Sequence, residues 1–184
     1  MPRDLVIRAS TGDHDAFASL ATDAYGRLHR TAQLILRRDD LASDAVQEAL
    51  TSAWLHIRAV RNPDRFDAWL NRLVVRACYH ELRRAKRGPI QIQVDSIHGP
   101  GTDDSASALA DRDQLERGFQ HLSAEHRAVL VVHHYLGLPD AEAAKVMDIP
   151  IGTYKSRLNR AHTSLRAALE ADERAAGVAQ ESIA

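Results

Sequence analysis

From residue 13 to residue 87, apolar residues recur at intervals of three and four, and a single proline, Pro63, interrupts the series. That spacing lays a continuous stripe along one side of an α-helix, so this portion predicts an all-helical module. The first predicted helix runs from Asp15 to Arg37, with Phe17, Leu20, Ala24, Leu28, Ala32 and Ile35 facing inward and Asp13 as its cap. Asp39 and Asp40 then mark a turn. A second helix starts near Ser43 and buries Val46, Ala49, Leu50, Ala53, Trp54 and Ile57, while its other face shows Asp44, Gln47, Glu48 and Thr51. Pro63 disfavours helical geometry at Asn62, so Arg61 to Arg65 reads as a break. A third helix resumes near Phe66 and ends in a basic cluster of Arg83, Arg84, Lys86 and Arg87, where cations suit the helix dipole.

Beyond this cluster the periodicity lapses. Gly88 to Ser107 contains Pro89, Gly99, Pro100, Gly101 and several acids, the composition of a linker. Helical periodicity resumes at 109, and Ser123 is placed to cap a helix carrying Val129, Leu130, Val132 and Leu136. The expected organisation is therefore all-α, with two small helical domains at 1–87 and 109–170. A flexible acidic linker at 88–108 joins them, and a frayed tail occupies 171–184.

Within the second domain, Pro139 to Arg166 has the outline of a helix-turn-helix: a short apolar-patterned helix, a break at Asp148 to Pro150, then a longer helix. At about 100° per residue, Tyr154, Leu158, Ala161 and Leu165 fall on one stripe and Lys155, Ser156, Asn159, Arg160 and Thr163 face outward. From Ile149 to Leu169 every charged residue is a cation: Lys155, Arg157, Arg160 and Arg166. An acid-free face of this kind can meet phosphates and base edges.

The formal net charge of −1 hides this segregation. Residues 1–87 hold 15 basic against 11 acidic side chains, 88–118 hold 2 against 6, and 119–184 hold 7 against 8. Two end modules thus flank an acidic middle. Cys78 is the only cysteine, which excludes an intrachain disulfide and a cysteine-cluster zinc site and suits a small core residue. The ten histidines, His121, His126, His133 and His134 among them, do not place three ligands and an acid on one helical face, so no metal is expected. Neither a glycine-rich phosphate loop nor a nucleophile motif occurs, so neither cofactor nor catalysis is expected. No apolar run approaches the roughly 20 residues of a membrane span, and Arg3 and Asp4 stand where a signal-peptide core would begin; the expected location is the cytoplasm.

Taken together, residues 13–169 resemble the extracytoplasmic-function group of bacterial RNA polymerase sigma factors. In the first domain Asp44, Gln47 and Glu48, followed by Trp54, are similar to the family's D-x-x-Q-E helix, and the resemblance implies that these residues dock on a coiled coil of core polymerase. In the second, Leu122, Arg127, Gly137, Glu142 and Ala144 precede Gly152, Thr153, Lys155, Ser156, Arg157, Leu158, Arg160 and Ala161. The last eight are similar to the G-T-x-K-S-R-L-x-R-A helix that reads the upstream promoter element. The implied DNA contacts are Thr153, Lys155, Ser156, Arg157, Asn159 and Arg160 at that element. Asn62, Arg65, Arg83 and Arg84 are implied at the downstream element, near the family's W-L pair at Trp69 and Leu70. The linker acids Asp95, Asp103 and Asp104 resemble a segment that threads into the polymerase channel. Ser123 and Asp148 stand where the family commonly has Pro and Gly, and Arg76 and His80 where it often has Asn and Asp.

The implied function is that of a sigma factor with core polymerase and promoter DNA as partners, an anti-sigma factor as a further candidate, and no chemistry of its own. Two other readings share the motif: a stand-alone helix-turn-helix regulator, and a helical interaction module whose basic helix meets an acidic protein.

Overall fold

The computed structural model describes residues 2–87 and 106–181, with side-chain surroundings for 2–85 and 113–174. It divides into two compact units, one comprising Met1–Ile97 with Val146–Asp148 and the other His98–Lys145 with Ile149–Ala184. The turn Val146–Asp148 is described below with the helices it joins. Among the described residues there is no strand. None of their helices is long and apolar enough to cross a membrane.

The first unit contains α1 (Arg3–Ser10), α2 (His14–Leu36), α3 (Asp39–His56) and α4 (Phe66–Arg87). Helix α1 was not expected from the sequence. Only Val6 and Ala9 of its eight residues are buried, too few to establish a period. Asp13 caps α2 by accepting a hydrogen bond from the Ala16 amide at 3.0 Å, and it also accepts one from Arg8 Nε at 2.9 Å. Helix α2 ends at Arg37, whose backbone is left-handed at φ 52°. Asp39 and Asp40, expected as a turn, form the first turn of α3 instead. Carboxylates are favoured there because they face unpaired amides at the positive end of the helix dipole.

Small side chains set the packing of this unit. The buried face of α3 is Ala42, Ala45, Val46, Ala49 and Ala53, which lets α2 and α4 approach closely. Into that space α2 contributes Leu20, Leu28 and Ile35, and α4 contributes Phe66, Leu70, Val74 and Val75. Cys78 is fully buried, as expected of a core thiol. Trp54 is half-buried, not enclosed, and its ring lies 4.4 Å from that of His14 and 5.1 Å from that of Phe17.

The second unit contains α5 (Ala106–Gln120), α6 (Ala124–Leu130), a π-helical turn (Val131–Tyr135), α7 (Asp140–Val146) and α8 (Ile151–Glu181). Residues 88–105, which include Asp95, Asp103 and Asp104 of the expected linker, lie outside the described residues; from Ala106 the chain is already helical. Ser123 caps α6 by accepting from the His126 amide at 3.2 Å. The π-helical turn closes with the Leu136 amide donating to the Val131 carbonyl at 3.0 Å, and Gly137 ends it at φ 63°, where a side chain would be strained. Gly118 allows α5 and α8 to touch: a Cβ there would lie 2.8 Å from Leu169 Cδ2 and 3.0 Å from Leu165 Cδ1. Helix α8 continues through Glu181 where a frayed tail was expected. Arg117 Nε donates to Asp172 at 2.8 Å and Gln114 Nε2 to Glu173 at 2.9 Å, so α5 holds α8 beyond Leu169.

Candidate nucleic-acid interface and docking face

Helix α7 leads through Asp148, left-handed at φ 52°, into α8. The turn is fixed by the Ile149 amide donating to the Ala144 carbonyl at 3.0 Å and the Tyr154 amide to the Pro150 carbonyl at 3.0 Å. Aspartate tolerates positive φ better than most side chains, which is how the chain turns here without glycine.

The inner stripe of α8 is enclosed: Tyr154 and Ala161 are wholly buried, Leu158 nearly so, and Leu165 half-buried. Burial, with Asp140 adding to it, pushes the Tyr154 phenol up to about 12, and its hydroxyl has no hydrogen-bond partner among the described residues. Tyr154 is therefore a space-filling core residue. Because the inner stripe is fixed, the outer face is fixed too. Lys155, Ser156, Asn159, Arg160 and Thr163 are exposed and Thr153 is half-exposed.

Arg157 departs from this pattern. Its side chain is only 19% exposed and reaches back to Glu125 of α6 at 3.5 Å. At about 100° per residue, position 157 sits at the flank of the helix between the inner stripe and the outward face, where α6 supplies a carboxylate. The DNA contact expected of Arg157 would require its side chain to leave Glu125. Arg160 stays on the outer surface but folds along its own helix, Nε donating to the Ser156 carbonyl at 3.2 Å and Nη2 to Ser156 Oγ at 3.3 Å. Ser156 Oγ in turn donates to the Thr153 carbonyl at 3.0 Å. These contacts are exposed and local, and a phosphate can replace them.

His126, at the start of α6, borders this face beside Arg160 and Arg157. Partial burial lowers its pKa, and the neighbouring Arg160 and Arg157 charges lower it further. Sequence reasoning considered His126 only as a metal ligand, because its proximity to α8 is set by the packing of α6 on α8. His134 and His162 are likewise brought together, Nε2 to Nε2 at 2.8 Å, with the His133 ring edge-on to His134 at 4.7 Å. Burial first, then His133 and His162, lowers the His134 pKa. Arg127, one of the residues carrying the sequence resemblance, is buried and donates from Nη1 to the Leu122 carbonyl at 2.6 Å; its role is internal.

In the first unit Asp44, Gln47 and Glu48 are exposed on α3 and, with Thr51, Ser52, Leu55 and His56, line a shallow groove. Leu55 is 69% exposed, an apolar side chain beside three polar ones. Asn62 and Arg65 are also exposed, but the Asn62 side chain accepts from the Asp64 amide at 3.0 Å and so caps the turn Pro63–Arg65. Of the W-L pair, Leu70 is core and Trp69 half-buried with its ring 5.6 Å from Phe66. Arg83 is exposed and lies over the Tyr79 ring at 5.9 Å, whereas Arg84 pairs with Glu81 at 2.8 Å. The structure thus gathers Thr153, Lys155, Ser156, Asn159 and Arg160 on one face of α8 and Asp44, Gln47 and Glu48 on one face of α3, while the four downstream candidates are split between the Pro63 turn and the end of α4.

Known proteins match both halves of the chain. A family model described as Sigma-70 region 2 matches residues 20–88, and one described as Sigma-70, region 4 matches residues 112–165. The chain is 33% identical over 165 residues to the ECF RNA polymerase sigma factor SigM of Mycobacterium tuberculosis, covering 88% of this chain and 81% of that protein. It is 28% identical over 176 residues to the ECF RNA polymerase sigma-E factor of Escherichia coli, covering 88% and 90%. A solved structure of the sigma factor RpoE with the anti-sigma factor NepR, from Bartonella quintana, has a similar fold. Its TM-score is 0.64 at 24% identity, over 85% of this chain and 98% of that one.

Proposed function

The chain belongs to the extracytoplasmic-function RNA polymerase sigma factors, and from that premise we propose how its two units divide the work of directing polymerase to promoters. The first unit docks on core polymerase through Asp44, Gln47 and Glu48 of α3. The second lays α8 in the major groove of the upstream promoter element. Lys155 and Arg160 contact phosphates or guanine edges, Ser156 and Asn159 contact base edges, and Thr153 adds a hydroxyl near the N-terminus of the helix. Arg157 supports this face through Glu125. Asn62, Arg65, Arg83 and Arg84 approach the downstream element, Arg84 only after leaving Glu81.

One observation carries this reading: a buried Tyr154–Leu158–Ala161 stripe holds an opposite face that is free of acids and rich in donors. The protein confers specificity and performs no chemistry of its own. It works in the cytoplasm with the polymerase, and an anti-sigma factor is a partner by analogy with relatives of the RpoE kind.

Run-off transcription with purified core polymerase on a library of genomic fragments tests the proposal. Discrete transcripts that require the chain are expected. Tight operator binding by a homodimer without polymerase would instead identify a stand-alone regulator, and failure to select any DNA would identify a protein-interaction module.

A further inference from the structure

The edge shared by α3 and α4 carries a donor set of nitrogen and oxygen in which Glu48, a residue of the docking face, meets two residues of α4 that docking and DNA contact leave unexplained. Glu48 Oε1 of α3 lies 3.3 Å from His80 Nδ1 of α4. Glu81 follows on α4, and one donor atom from each of the three lies within 4.8 Å of the others. Glu48 and His80 are open to solvent, while Glu81 is only 7% exposed. We propose that Glu48, His80 and Glu81 form a binding site for a divalent transition-metal ion of the Zn2+ type.

Geometry is the first argument. Two ligands each about 2.0–2.1 Å from a tetrahedral zinc stand about 3.3–3.4 Å apart. The Glu48–His80 separation already has that value without an ion. Charge is the second. Two carboxylates and an imidazole ligating through its lone pair carry a net charge of −2, and Arg84 lies against them, on Glu81 Oε1 at 2.8 Å. The Arg84 side chain is 68% exposed and can return to water when a metal takes its place. A divalent ion would satisfy the buried Glu81 carboxylate and remove the repulsion between it and Glu48 together.

Ligand chemistry narrows the choice of ion. The neighbouring Cys78 is wholly buried in the core and is not among the converging donors, so the set is one of nitrogen and oxygen. An imidazole with two carboxylates suits zinc and its neighbours, whereas Mg2+ and Ca2+ prefer oxygen alone. The exposed side of Glu48 and His80 leaves a fourth position for water. Metal occupancy would also withdraw the Glu48 carboxylate from the α3 face, a consequence that rests on the docking assignment above.

The test is titration of the untagged full-length chain, without polymerase, with ZnCl2 by calorimetry, CoCl2 by visible absorption and MgCl2 as a control. Stoichiometric Zn2+ binding, a tetrahedral Co2+ band and no response to Mg2+ are expected. His80→Ala, at an exposed position where folding is not at issue, should weaken Zn2+ binding by at least about tenfold, the loss that even groups one step removed from a metal produce. Glu81→Gln should do the same if its thermal melt stays cooperative. The double variant His134→Ala/His162→Ala should bind as the unaltered chain does. Absence of binding, retention in His80→Ala, or loss only in the His134/His162 variant would each overturn the site. Zinc that binds yet leaves core-polymerase affinity unchanged would overturn the docking role of Glu48 and not the site.

Discussion

Arg157 of α8 reaches back to Glu125 of α6 at 3.5 Å, while Arg160, one turn further along the same helix, lies on the outer surface against Ser156. Two arginines in one cationic helix therefore have different environments. Arg160→Ala is expected to weaken promoter binding and reduce the slope of log affinity against log salt by about one, the loss of a single phosphate contact. Arg157→Ala should change that slope less and lower the melting temperature of the second unit. Equal slopes for both variants in a salt titration would return Arg157 to the DNA face.

Tyr154 anchors α8 by its ring and not by its hydroxyl. Tyr154→Phe should be neutral or slightly stabilising, because it removes a buried hydroxyl that has no partner. Tyr154→Ala should cost about 3–5 kcal/mol, as for other large aromatic truncations, and abolish upstream-element binding. Denaturant unfolding of the two variants separates these outcomes.

Asp13 ties α1 to α2 as cap and as acceptor for Arg8. Its carboxyl is held below the ordinary range by the Ala16 amide first and Arg8 next. A lowered carboxylate contributes stability that is present above its unfolded pKa and is lost as pH falls through the folded value. The difference in melting temperature between the unaltered chain and Asp13→Ala should therefore be full at neutral pH and shrink as pH drops through the carboxylate range. A constant difference would show that Asp13 acts there by something other than its charge.

The His134–His162 contact predicts a dependence of the same sign at higher pH, from a base instead of an acid. A hydrogen bond between two imidazole nitrogens needs one of them without a proton, and the lowered pKa of His134 means the unfolded chain takes up the proton first. Stability of the second unit should fall as pH drops through the ordinary histidine range and level off below the folded pKa. His134→Leu should remove much of that dependence. Melting curves between pH 5 and 8, about the span in which histidine titrates, provide the measurement.

Gln47 and Glu48 are exposed and support no core contact in α3, so changing both to Ala should leave the melting temperature within about 0.5 kcal/mol of equivalent stability. Core-polymerase binding should drop. Normal co-purification with core enzyme would remove α3 from the docking surface.

Much of the fold could be read from local order in the chain. The caps at Asp13 and Ser123, the left-handed turn at Asp148 and the inner stripe of α8 depend on residues a few positions apart, where helical geometry alone fixes which side chains meet. Helix α1 escaped because two buried residues make no period, and Asp39 and Asp40 read as a turn because acids are common both in turns and in first helical turns. The extension of α8 escaped because its contacts, Arg117 with Asp172 and Gln114 with Glu173, join distant segments.

The sequence by itself determined the helical period, the acid-free stretch of α8 up to Leu169 and the order of the two sigma-like motifs, since each is a pattern legible within a few turns. Tertiary structure alone decided that Arg157 turns to Glu125, that His126 sits in the field of Arg160, that His134 meets His162, and that His80 and Glu81 converge on Glu48. Each of those pairs brings together residues from separate elements. Their distances are set by how the helices pack, which a linear pattern of side chains does not encode.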